Sequence, residues 1–347
     1  MLLLKVRAPR SLDAVEDRYG HRISYLRVSI TDRCNERCSY CMPRELQEWL
    51  PRAGILSFEE TLRLVRVAAS LGVKKIRVTG GEPLTRRDVL PFLQELARIP
   101  EIDDVGLSTN GTLLARDVTP GVSMASALRA AGVRTVNVSL DTLDREDYQQ
   151  VTGRDFLPEA LAGIDAAIAA GFELIKLNCV LIRGRIEAQL EPLVEYAASR
   201  NLLLRFIELM PVSTSEVLSD ANFLPIREAQ RLLEARYGSL VPEPHFRTNG
   251  PATYFQLPGR AQRIGFIGAM TNLHFCESCN KLRLTCDGKL RPCLGSYLEF
   301  DIMKVMRAGA TDGELEQFFL DVVERKPQQH DFRDNYQTNR KMVAIGG

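Results

Sequence analysis

The chain has 347 residues, 45% hydrophobic and 26% charged, a balance ordinary for a globular protein. Its 45 basic and 44 acidic side chains leave a net charge of +1, which excludes a global field drawing it to nucleic acid or to a membrane surface. The apolar start, Met1 to Leu4, is too short for a signal peptide or a membrane span, so a cytoplasmic protein without a disulfide framework is expected.

Residues 1–18 are charged and aperiodic and read as a flexible leader. From 19 to 211, strand-like and helix-like segments alternate. Strands are predicted near 24–30, 74–79, 104–108, 134–139, 173–181 and 202–208, with helices near 57–71, 87–98, 122–131, 157–170 and 187–199. Ser57 with Glu60 makes a capping box, and Gly72, Gly132 and Gly171 follow helices as C-caps. Such alternation implies a parallel sheet with helices outside, either doubly wound or a barrel.

Side-chain parity favours the barrel. One face of the strands is apolar, as in Leu26, Val28, Ile76, Val78, Val136 and Leu177. The other carries Arg27, Lys75, Arg77, Ser108, Thr135, Asn137 and Lys176. A closed barrel fills its inner face with branched aliphatics. A wet, cationic inner face fits an open, partial (βα)6 TIM-like barrel; edge or solvent-facing positions are the blander reading. The sixth strand fits less well, because parity sets Arg205 opposite to Glu208 and Met210 unless a bulge intervenes.

Residues 212–347 change character. Prolines interrupt a loop-rich stretch with helices near 226–237 and 313–325, hairpin-like runs at 252–257 and 262–267, and Asp287-Gly288 between two short strands. This region reads as an α+β lid over the barrel mouth.

Barrel enzymes gather their working residues at the C-terminal ends of strands. Cys34-x3-Cys38-x2-Cys41 follows the first strand and Thr79-Gly80-Gly81-Glu82-Pro83 the second. Ser108-Thr109-Asn110-Gly111, Ser139-Leu140-Asp141 and Glu208-Leu209-Met210-Pro211 end later strands. Three thiolates can bind three irons of a 4Fe–4S cube and leave the fourth open to a small molecule. Zinc would need a fourth ligand, and none of the four histidines lies within ten residues of this loop. A second group, Cys276-x2-Cys279-x6-Cys286-x6-Cys293, suits either a structural zinc with four sulfurs or a cluster on Cys276, Cys279 and Cys293. Cys179, alone in an apolar strand, reads as packing.

The cysteine loop and barrel pattern resemble the radical S-adenosylmethionine (SAM) superfamily. From about Asp17 onward the chain further resembles its GTP 3′,8-cyclase family of molybdenum-cofactor biosynthesis. Leu26-Arg27-Val28-Ser29 leading into Thr31-Asp32-Arg33-Cys34, Arg77 through Leu84, Asn137 through Asp141 and Arg205 through Met210 carry the likeness. So do Phe275-Cys276-Glu277-Ser278-Cys279-Asn280-Lys281-Leu282-Arg283-Leu284, Cys293 and the terminal Gly346-Gly347.

The resemblance implies two 4Fe–4S clusters, one on Cys34, Cys38 and Cys41 and one on Cys276, Cys279 and Cys293. Tyr40, Gly81, Ser139 and Met210 would hold SAM, and Arg27, Arg77, Ser108, Lys176, Lys281, Leu282 and Arg283 would contact GTP. Gly346 and Gly347 would assist the radical step. It also implies an external electron donor such as flavodoxin and a following cyclic pyranopterin monophosphate synthase, and it allows a homodimer. Departures from the family pattern are Ser108 for threonine, Lys281 for arginine, the extra thiol Cys286, and a longer stretch at 115–124. Two alternatives stay open on the residues alone: a radical SAM peptide-modifying enzyme with an auxiliary cluster, and a non-catalytic zinc protein.

Overall fold

Alternation along Tyr25–Ser29 settles how the sheet is used, because one face meets helices and the other an enclosed polar space. The computed structural model describes residues 15–42, 48–212, 218–334, 336 and 340–346. It opens with a ribbon of β1 (Val15–Glu16) and β2 (Arg22–Ile23), then β3 (Tyr25–Ser29), α1 (Phe58–Ser70), β4 (Lys75–Thr79), α2 (Val89–Ala97) and β5 (Asp104–Thr109). A side hairpin of β6 (Asp117–Thr119) and β7 (Val122–Ser123) occupies the longer stretch and precedes α3 (Met124–Ala130) and β8 (Thr135–Ser139). Next come α4 (Arg145–Thr152), α5 (Leu157–Ala169), β9 (Leu174–Leu181), α6 (Leu190–Ser199) and β10 (Leu203–Glu208).

The C-terminal region adds α7 (Ile226–Tyr237), β11 (Val241–Pro242), β12 (Thr253–Gln256), β13 (Arg263–Ile267), β14 (Lys281–Leu284), β15 (Lys289–Arg291) and β16 (Phe300–Asp301). It ends with α8 (Ile302–Arg307), α9 (Asp312–Glu324) and α10 (Met342–Ile345). One sheet runs β11-β12-β13-β10-β9-β8-β5-β4-β3-β14-β15-β16. The expected partial barrel is its centre, β3 to β10. The C-terminal region also builds the wall: β13 pairs in parallel with β10 at one edge, and β14 with β3 at the other. Both edges of the six-stranded barrel are thereby paired, and the free edges of the sheet move out to the short strands β11 and β16.

Local signals explain the elements. Glu60 N donates to Ser57 Oγ and Ser57 N to Glu60 Oε2, so the capping box forms and starts α1. Gly72, Gly132 and Gly171 take positive φ where α1, α3 and α5 end. On the outer face Leu26, Val78, Val136 and Leu177 are wholly buried against the helices, each stabilising by roughly 1.5–3 kcal/mol. Cys179 joins that core, as expected.

Residues 15–18 do not belong to a loose leader, which corrects the boundary at 18. Val15 pairs with Ile23, and the buried Asp17 carboxylate accepts from Tyr19 N, His21 N and His21 Nδ1. A short charged segment lacks periodicity, yet one buried carboxylate closes it into a turn. Residues 1–14 lie outside the described residues.

The mismatch on the sixth strand resolves without a bulge. Register between β9 and β10 is unbroken from Leu203 to Glu208, so Arg205 faces inward and Glu208 outward. Glu208 accepts from Ile226 N (3.0 Å), Met270 N (2.8 Å), Thr271 N (3.1 Å) and Thr271 Oγ1, pinning α7 and the loop after β13 to the barrel. Glu208→Ala strands those donors and is expected to lower unfolding free energy by about 3 kcal/mol in urea titrations. A loss below about 0.5 kcal/mol would deny this carboxylate its role at the seam.

Candidate active site in a cationic barrel

The cysteine loop leaves β3 and folds onto the loop after β4. Gly81 N donates to Thr31 O and Glu82 N to Arg33 O, both at 2.8 Å. A Cβ on Gly81 would lie 2.3 Å from Arg33 O, and one on Gly80 2.7 Å from Thr31 O, so the glycine pair permits the contact. On the other flank Arg37 N and Ser39 N donate to Thr152 O and Val151 O at the end of α4, and Tyr148 Oη donates to buried Glu36. Tyr40 Oη donates to Asp141 Oδ2 at 2.7 Å, while Val180 N donates to Asp141 Oδ1. The loop is thereby tied to the ends of β4, β8 and β9.

The three thiols perturb one another, so they share one locale. Burial pushes Cys41 up to about 12 and holds Cys34 and Cys38 above the usual thiol range. Burial also raises Glu36 and Glu82 to about 7 and Asp141 to about 6. Such thiols stay protonated until a metal cation displaces the protons. Among the described residues no three His, Cys, Asp or Glu groups are disposed to hold a single metal ion. A tetrahedral ion draws its sulfurs to about 2.3 Å from one centre. A cube spreads its ligand sulfurs around the cluster, and this donor set fits that group.

The inner face is a grid of cations. Arg283, Arg27 and Arg77 stand side by side on β14, β3 and β4, on strands spaced ~4.8 Å apart. None of β3, β4, β5, β8 and β9 is an edge strand, so the edge reading of these polar positions falls. The row continues through Gly106 on β5, where a Cβ would lie 2.3 Å from Arg77 Cζ. That space lets Arg77, 2% exposed, donate to Tyr25 Oη, Leu107 O, Thr135 O and Thr135 Oγ1. A second row holds Ser108, Asn137 and Lys176; a third holds Ser139, Asn178, Arg205 and Gly265. Arg205 donates to Asn178 Oδ1. Lys75 Nζ donates to Asn249 Oδ1, and Asn249 Nδ2 to Asp104 Oδ2, so a C-terminal loop engages that cation.

Lys176 is 2% exposed and forms no hydrogen bond or ion pair with any described residue. Burial, then Arg205 and Arg77, pull its pKa down to about 7. Burial likewise holds Arg27, Lys281 and Arg283 below their usual values. Lys281 lies over the Tyr25 ring, 5.3 Å from its centroid. Parity on β14 turns Lys281 and Arg283 inward, so the side chain of Leu282, 1% exposed, packs into the helical core and only its backbone borders the barrel.

At the other cysteine group, Cys279 N donates to Cys276 O (2.9 Å) in the loop before β14, and Cys293 follows β15. Backbone N–H groups of His330 and Gly295 reach the Cys276 and Cys293 sulfurs. Cys286 stands apart: its buried thiol meets the Ser29 hydroxyl, with Asp287, Asp32 and Arg340 as charged neighbours. Cys276, Cys279 and Cys293 perturb one another, whereas no other cysteine is among the neighbours of Cys286, so three of the late thiols share a locale that favours a three-sulfur site over a zinc on all four.

The tail enters the barrel. Arg283 Nη1 donates to Gly346 O at 2.9 Å, and a Cβ on Gly346 would lie 2.8 Å from Thr79 Cγ2 and 2.9 Å from Ser29 Cβ. Val343 N reaches the Cys41 sulfur, and Arg340 pairs with Asp287 and Glu299 behind it. Gly347 lies outside the described residues. Tyr40, Gly81, Ser139 and Met210 follow or end β3, β4, β8 and β10, so all four stand at this same mouth. Sequence reasoning missed α4, although Asp144 and Gly153 frame it as caps, and it missed Asn249 and Lys326, for which the sequence offers no local signal.

Residues 28–197 match the Radical SAM superfamily, and residues 202–332 match Molybdenum Cofactor Synthesis C. A protein of Pelotomaculum thermopropionicum named GTP 3′,8-cyclase is 42% identical over 333 residues, covering 96% of this chain and all of that one. A Moorella thermoacetica protein of the same name matches at 42% identity with the same coverage. In fold the chain is similar to Streptococcus suis SuiB bound to precursor peptide SuiA (TM-score 0.59, 16% identity, 93% of this chain and 70% of that one).

Lys176 gives a signed pH effect. Its folded pKa lies below its unfolded value, so the unfolded chain binds more protons between about pH 7 and 10.5, and stability rises with pH across that window. The expected gain relative to Lys176→Met is at most about 1.4 kcal/mol per pH unit, read as the pH dependence of the difference in urea midpoints. Parallel pH profiles for the two proteins would contradict the burial of an unpaired ammonium.

Proposed function

Because the chain belongs to the GTP 3′,8-cyclase family of the radical SAM superfamily, we propose that its cationic barrel holds GTP between two cysteine triads and closes it to 3′,8-cyclo-7,8-dihydro-GTP, the first step of molybdenum cofactor biosynthesis. The observation that carries this reading is the grid itself: Arg283, Arg27 and Arg77 in one row, with Lys176 buried and unpartnered beside them. A triphosphate supplies the missing negative charge, and each such contact in a partly desolvated cavity far exceeds a surface ion pair.

Cys34, Cys38 and Cys41 would hold the first 4Fe–4S cluster, and Cys276, Cys279 and Cys293 the second. A cluster held at the first triad, with SAM bound and one electron from an external donor, would supply a 5′-deoxyadenosyl radical able to take hydrogen from the ribose 3′ carbon. Joining that carbon to C8 of guanine opens the C8–N7 double bond, and one further electron with a proton at N7 completes the dihydro product. Tyr40, fixed by Asp141, together with Gly81, Ser139 and Met210, frames SAM at the mouth. Lys176, Arg27 and Ser108 face the phosphates. Arg77 spends its donors on the barrel and acts by charge and by bracing Tyr25. Lys281 and Arg283 lie between the second triad and the tail, and Arg283 fixes Gly346 where it narrows the mouth and excludes water.

An external one-electron donor such as flavodoxin, a following cyclic pyranopterin monophosphate synthase, a cytoplasmic setting and a C-terminal unit from 212 onward complete the reading. Among the described residues no helix is long and apolar enough to cross a membrane. The likeness to SuiB concerns fold alone.

The test is anaerobic incubation of the reconstituted chain with SAM, dithionite and GTP deuterated at the ribose 3′ position. Deuterium is expected in the 5′-deoxyadenosine. SAM cleavage without label transfer would remove GTP as the substrate.

A further inference from the structure

We propose that Lys326 is the built-in counter-cation of the second cluster, donating to the Cys279 sulfur and setting that cluster's reduction potential apart from the first. Lys326 leaves the end of α9 and is 2% exposed. Its Nζ donates to Lys281 O (3.1 Å) and Pro292 O (2.6 Å), and its third donor reaches the Cys279 sulfur. An ammonium has three donors, so all are used. Both carbonyls are neutral, and among the described residues no carboxylate pairs with it.

A buried ammonium without an anion is costly. The anion within reach is the sulfur set, since Cys276, Cys279 and Cys293 all feel its charge. The two carbonyls belong to residues flanking the ligands, Lys281 just after Cys279 and Pro292 just before Cys293. One side chain therefore clamps both ends of the hairpin that presents those sulfurs. Hydrogen bonds to sulfur and nearby net charge are the levers that set a cluster's potential. Around the first triad the charged neighbours are Glu36, Glu82 and Asp141; around the second they are Lys326, Lys281 and Arg333. Lys326 thus biases the second cluster toward accepting an electron.

This rests on the second cluster assigned above, and the test separates the two. Wild type and Lys326→Met are reconstituted, assayed for iron and sulfide, and titrated reductively with electron paramagnetic resonance detection of each cluster. Expected for Lys326→Met is a more negative midpoint for the second cluster with the first unmoved, or selective loss of the second cluster. Full loading with unshifted midpoints, or equal shifts in both clusters, overturns the inference. Wild type with about four irons per chain instead of about eight removes the cluster assignment itself. Should Lys326→Met fail to fold, Lys326→Gln is read in the same way. Failure of both to fold overturns the proposal too, because a counter-cation is needed only once the cluster is present.

Discussion

Like charge held on neighbouring strands is the constraint around which this barrel is organised. Two unit charges at strand spacing repel by on the order of 3 kcal/mol at an intermediate dielectric, and Arg283, Arg27 and Arg77 make two such pairs. The protein relieves part of the repulsion itself. Gly106 lets Arg77 lie flat onto carbonyls, Asn178 takes Arg205, and the Gly346 carbonyl takes Arg283. Tyr25 records what is left over: burial lifts its phenol, yet Arg77, Arg27 and Lys281 outweigh that and bring it to about 8. Lys176 has no hydrogen bond or ion pair among the described residues, and the charge of Asp104 offsets only part of its burial and of the push from Arg205 and Arg77. A site this positive and this dry is preorganised for a polyanion, with the cost met during folding rather than during catalysis.

The two triads differ in surroundings as much as in position. Acids and buried hydroxyls frame the first, so its thiols depend on metal for ionisation. At the second, burial raises Cys279 but Lys326 and Lys281 outweigh it and hold the thiol down. The C-terminal region makes this asymmetry possible because it is woven into the sheet. By pairing with β3, β14 delivers Lys281 and Arg283 to the barrel wall and sets Cys279 just beyond its start. By returning along the mouth, the tail brings Gly346 between Ser29 and Thr79, where any side chain would collide.

Much of this was legible in the sequence because it rests on local rules. Period-two alternation marked the inward cations, and the capping box and C-cap glycines marked α1, α3 and α5. Cysteine spacing marked both triads. What was not legible depends on register between distant segments. Leu282 shares a motif with Lys281 and Arg283, but parity on β14 turns it away from them. Arg205 looked misplaced until the unbroken β9–β10 pairing set its face. Cys286 sits at cluster-like spacing yet belongs with Ser29, since the strand it follows runs alongside β3. Asp17 closes a turn that composition alone reads as loose.

On this reading the barrel is an anion site before any cluster or cosubstrate arrives. Its most direct test is thermal melting of the metal-free chain with inorganic tripolyphosphate. Binding at a hundredfold excess over the dissociation constant adds about 2.7 kcal/mol, so a saturable rise in melting temperature is expected, with GTP matching or exceeding it. No rise with either ligand would contradict the claim that these cations await a triphosphate.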